Sequence, residues 1–108
     1  MENLDPKEIT RIGLIYVEKW LSENGYYNVL QESLGPNDAV LRATGQQENI
    51  LVQIKTLLYP AQLLRLNEKE IDLLVSKANF LNIIAYAAYV CIDSNGKLLE
   101  EINWQRLN

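Results

Sequence analysis

The stretch DAVLRATGQQENILVQIKT, residues 38–56, decides how this chain folds. Asp38–Thr44 and Ile50–Thr56 are β-prone, and the polar Gly45–Asn49 between them predicts a hairpin. In the second strand Ile50, Val52 and Ile54 share one face while Leu51, Gln53 and Lys55 share the other. A strand that is central by its apolar content therefore carries two polar groups, and Asp38 opens its partner. If the loop closes symmetrically, Thr44 opposes Ile50 and Asp38 falls opposite Thr56; a shift of one residue sets Asp38 opposite Lys55. In either register a carboxylate, an amide and an ammonium gather at one sheet end. Such a group can bind a hard cation and polarise a water, as metal-assisted phosphodiester hydrolysis requires.

Upstream, Asp5-Pro6-Lys7-Glu8 reads as a helix start, with Asp5 as N-cap, Pro6 in the first turn and Glu8 completing a capping box. The helix runs to about Asn24, where Gly25 ends it. Its buried stripe is Ile9, Ile12, Gly13, Tyr16, Val17, Trp20 and Leu21, with Glu18 at the margin. A β-prone segment, Tyr26–Glu32, leads to a turn at Leu34-Gly35-Pro36-Asn37.

Downstream, Leu57–Leu66 is a connector, and Asn67-Glu68-Lys69-Glu70 is a second capping box. It opens a helix whose stripe is Ile71, Leu74, Val75, Ala78 and Leu81. The apolar run Ile83–Ile92 predicts a strand buried on both faces, followed by a turn at Asp93–Gly96. Lys97–Ile102 is the expected return strand, and Asn103–Asn108 a tail docked through Trp104. The strand-helix-strand passage from Ile50 to Ile92 makes those two strands parallel. The expected class is thus α/β in the mixed α+β sense, a single domain over residues 1–108 in the order αβββαβ(β).

Composition narrows the chemistry. The chain has 108 residues, 48% hydrophobic and 22% charged, as one globular core requires. So small a core makes a homodimer a natural expectation. No run approaches the roughly 18–20 apolar residues of a membrane span, and the N-terminus has no basic, apolar signal pattern, so the expected location is cytoplasmic. Cys91 is the only cysteine; within the apolar run it reads as a small buried core residue. With no histidine and one cysteine, zinc sites and Ser-His or Cys-His catalysis are excluded. A metal here must be a hard ion on oxygen ligands. A net charge of −4 speaks against a general nucleic-acid coat protein and leaves room for a local basic site.

At the residues quoted above the sequence resembles the PD-(D/E)XK nuclease superfamily, and particularly its small endonuclease-like and Holliday-junction-resolvase-like members. The resemblance runs through Gly13-Leu14-Ile15-Tyr16-Val17-Glu18, Gly25-Tyr26, Pro36-Asn37-Asp38 and Val52-Gln53-Ile54-Lys55-Thr56. It implies a restriction-endonuclease-like core and a catalytic set of Asp38, Gln53, Lys55 and Glu18. Asp38, Gln53 and Glu18 would hold Mg2+ or Mn2+, and Lys55 would position or activate the attacking water. The implied activity is divalent-metal-dependent endonucleolytic hydrolysis of DNA, by a homodimer or with a separate specificity subunit. The departure is Gln53, where the family's pattern has Glu or Asp; one negative charge fewer weakens metal binding. The alternative is therefore a weak or inactive nuclease-fold protein that binds nucleic acid or a protein partner.

Each residue also has a plainer use. Asp38 can cap the turn after Asn37, Lys55 can be a solvated strand-end lysine, and Gln53 a polar residue on a half-exposed face. Glu18 can be an exposed helix residue paired with Arg11 or Lys19. Arg42, Gln62, Arg65 and Lys77 are candidates for phosphate contact, against the ordinary role of solvating the surface.

Overall fold

The computed structural model describes residues 4–34, 39–61 and 65–108. Helix α1 (Pro6–Glu23) begins where expected, the Asp5 carboxylate accepting the Glu8 N–H at 2.9 Å with Pro6 in the first turn. Gly25, at φ 87°, ends it in the left-handed conformation that lacks a penalty only for glycine, and the Tyr26 N–H turns back to the Leu21 carbonyl at 3.0 Å. The chain continues through β1 (Tyr27–Glu32), β2 (Ala39–Thr44), β3 (Asn49–Leu58), α2 (Glu68–Leu81), β4 (Ile84–Ile92) and β5 (Asn103–Arg106). Helix α2 carries the full reciprocal capping box of Asn67 and Glu70.

The strands form one mixed sheet in the order β1-β2-β3-β4-β5. Pairing is antiparallel except between β3 and β4, which are parallel as the intervening helix requires. Ile50, Val52 and Ile54 face α1 and pack with Val17 and Leu21, both 0% exposed, alongside Leu41, Ala43, Ala88, Val90 and Ile92. Leu51 and Val40 face the other way, onto Leu74 and Ala78 of α2, with Ala85 and Ile83. The sheet is thus covered by one helix on each face, the α+β arrangement anticipated from the strand alternation. Gly13 sets the depth of the α1 contact: a Cβ there would overlap the Thr56 hydroxyl.

Of the two β2–β3 registers the sequence allows, the structure has the shifted one, Thr44 facing Asn49 and Ala39 facing Ile54, because Asn49 joins the strand and shortens the loop. Two expectations are corrected. The return strand is β5, within the expected tail, while 97–102 contributes a single bridge, Leu98 to Ile92. The Tyr16 hydroxyl explains the delay: it donates to the Gly96 carbonyl at 3.0 Å and accepts the Leu98 N–H at 3.1 Å, holding this segment against α1. Trp104 then packs at a tilt of 43° against Trp20, ring centroids 4.6 Å apart, and meets Tyr86 edge-on. Finally, Cys91 is half-buried rather than buried, and burial together with Glu100 pushes its thiol up, away from thiolate chemistry. Among the described residues no helix is long and apolar enough to cross a membrane.

Candidate functional site

Gln53 and Lys55 project from β3 on the α2 side of the sheet. Gln53 is 3% exposed, the one buried polar residue among those described, and it lies beside Ala87 in the ladder, where a small neighbour leaves room for the amide. Lys55 is further along, with its side chain 35% exposed. Over both stands Glu70, in the first turn of α2. One Glu70 oxygen, Oε1, accepts the Asn67 N–H at 3.1 Å. The other, Oε2, lies 3.0 Å from Lys55 Nζ and accepts the Gln53 amide at a longer 3.4 Å. One carboxylate therefore ties the helix cap, the ammonium and the buried amide together.

The electrostatics agree with that placement. Burial opposes ionisation of Glu70, but the Asn67 N–H and the Lys55 ammonium outweigh it and hold the carboxyl below its ordinary value. The N-terminal end of α2 favours negative charge in the same sense. Glu70 is thus a carboxylate whose two oxygens are fixed in direction before any ligand arrives.

Of the residues anticipated from the sequence, Gln53 and Lys55 come together and Glu18 does not join them. Glu18 is half-buried on α1, next to Val17, and α1 covers the opposite face of the sheet. Asp38 lies outside the described residues, as do Gly35, Pro36, Asn37 and Gln62. Ala39, one peptide bond beyond Asp38, pairs with Ile54, the residue between Gln53 and Lys55. Arg42 and Lys77 are taken up by Glu32, at 3.6 and 3.3 Å. Sequence reasoning missed Glu70, which reads locally as a capping residue; only the position of α2 over β3 reveals its second oxygen as a partner of Lys55.

Among the described residues no three acidic or sulfur ligands cluster in the way a metal ion needs. The donors present are one carboxylate, Glu70, and one amide, Gln53. They are hard oxygen donors of the kind Mg2+ or Mn2+ takes, but Lys55 already occupies one side of the carboxylate. A divalent ion therefore fits this group only with a further carboxylate, for which Asp38 is the candidate by sequence. Neither the scan of protein-family models nor the search of curated proteins finds a match to this chain.

Proposed function

We propose that this protein is a divalent-metal-dependent endonuclease of PD-(D/E)XK type that hydrolyses DNA phosphodiester bonds, with Lys55, Gln53 and Glu70 at its site and Asp38 as the first metal ligand. The observation that carries this reading is the Lys55–Glu70 pair at 3.0 Å, beside a buried amide, on the central strand of an αβββαβ fold. An ammonium held by a carboxylate can orient a water for attack without wandering among rotamers. Glu70 supplies the negative charge that Gln53 lacks. Mg2+ or Mn2+, when bound, would polarise the phosphoryl group and neutralise charge developing on it. Glu18 has no part in this reading. Target selection would come from a second copy of the chain or from a separate subunit, and a DNA substrate implies a cytoplasmic setting.

The test is cleavage of plasmid, single-stranded and branched DNA with magnesium or manganese. Loss of cleavage in Asp38→Ala and Lys55→Ala supports the site; cleavage unaffected by both refutes it. A second reading, a non-catalytic module binding nucleic acid or a protein, is favoured by the amide at position 53 and by the neutralisation of Lys55 within its ion pair. Magnesium titration followed by NMR separates the two. No shift at Asp38 or Glu70 up to millimolar metal selects the module.

A further inference from the structure

We propose that Arg65 is the phosphate-binding residue of this site, gripping the nucleic-acid backbone on the face of the sheet that carries Lys55. The inference rests on the functional reading above and adds a residue and a role to it.

Tyr89 is the link. It is the ladder partner of Lys55 across the parallel β3–β4 pair, so the two side chains leave the sheet on the same face, about 5 Å apart at the backbone. Its hydroxyl accepts the Leu66 N–H at 3.2 Å and donates to Gln105 Oε1 at 3.1 Å. Its ring carries the Arg65 guanidinium, 5.0 Å from the centroid. One buried tyrosine thus anchors the peptide that follows Arg65 and also the Arg65 head group.

An arginine held in this way suits an anion. Stacking on a ring occupies the face of the guanidinium and leaves its in-plane N–H donors directed outward, where a phosphate can accept two of them. Arg65 is exposed, and among the described residues no carboxylate forms an ion pair with it; the ion pairs there engage Arg42, Lys55 and Lys77. On a protein of net charge −4, a strand reaching Lys55 needs a local cation to offset general repulsion. Because the Arg65 head group already rests on the Tyr89 ring, less side-chain freedom is lost on binding.

The experiment is fluorescence anisotropy with a labelled 20-nucleotide single strand and the matching duplex, across a salt series, alongside cleavage in magnesium. Arg65→Ala should weaken binding about tenfold and lower the slope of log K against log salt by about one contact. Arg65→Lys should recover part of the affinity, since it keeps the charge and loses the fork. Lys97→Ala, the same charge removed elsewhere, should stay within about twofold of wild type. Arg65→Ala should melt only a few degrees below wild type, having lost its contact with the Tyr89 ring, and Lys97→Ala should match wild type, so both stay folded in the assay. Wild-type affinity in Arg65→Ala, with Lys55→Ala still inactive, overturns the role of Arg65 and leaves the nuclease reading intact. Binding that depends on Arg65 in a protein that cleaves nothing supports the inference and defeats catalysis. Absence of any nucleic-acid binding at low salt overturns both.

Discussion

Replacing Glu70 tests the organisation of the site without assuming its chemistry. Glu70→Ala removes three interactions: the cap to Asn67 N–H, the ion pair with Lys55 and the acceptor of the buried Gln53 amide. A lost capping interaction costs about 1 kcal/mol, and a partly exposed ion pair contributes roughly 0.5 kcal/mol. Leaving the Gln53 amide without its partner costs about 1 kcal/mol, discounted for the long contact. The total is about 2 kcal/mol, which lowers the melting temperature of a domain this size by roughly 10 °C. Glu70→Gln keeps one oxygen for the cap but sets an NH2 where Oε2 accepted from Lys55 and Gln53, so it should cost about 1–1.5 kcal/mol. Acidification supplies the sign. The carboxyl is held below its ordinary 4.5, so its contribution is complete above that value and disappears as pH falls through the lower folded value. Urea midpoints for wild type and Glu70→Gln should therefore differ by a constant amount at neutral pH and converge below about pH 4.5. Equal midpoints at pH 7, or a gap that widens in acid, would refute the account of Glu70 as an ionised clasp.

Other substitutions probe the frame that holds the clasp. Gly13→Ala forces a methyl into the Thr56 hydroxyl and should cost about 1–3 kcal/mol in urea denaturation. Thr56→Val should be neutral or stabilise by up to about 1 kcal/mol, because Thr56 Oγ1 is buried without a hydrogen-bond partner among the described residues; the same urea titration measures it. Trp104→Ala should remove about 2–3 kcal/mol with the packing on Trp20, and amide exchange should speed first in β5, the short edge strand it anchors.

The sheet was legible because alternation in Ile50–Thr56 assigns each side chain to a face before any partner is known. Both N-caps mark their helix starts for a similar reason, since Asp5 and Asn67 act on backbone only three residues away, although only Asn67 and Glu70 show the reciprocal box. The return strand was not legible. Lys97–Ile102 and Asn103–Arg106 have comparable local preferences, and the choice between them is made by Tyr16, some eighty residues distant, whose hydroxyl holds Gly96 and Leu98. The sequence leaves two registers open, one residue of loop being worth too little local energy to decide, and the structure has the shifted one. At the site, Gln53 and Lys55 could be paired because two residues along a strand always share a face. Glu18 joins them only through the family resemblance, since a helix position fixes spacing along the helix but not the face of the sheet that the helix covers. Glu70 escaped notice because a single side chain performs two tasks and sequence displays only the local one.

That double task changes the meaning of the glutamine at position 53. Its amide donates to the same Glu70 oxygen that holds Lys55. A glutamate at that position would set two carboxylates within about 3.5 Å to share the one Lys55 ammonium, and their repulsion would disfavour ionisation of one of them. With glutamine, one face of the amide satisfies Glu70 and the carboxylate stays charged and bound to Lys55. Glutamine at position 53 therefore suits the helix-borne carboxylate, whose charge it leaves intact. The negative charge of this group stands on the first turn of α2, where the helix end and the Asn67 N–H stabilise it.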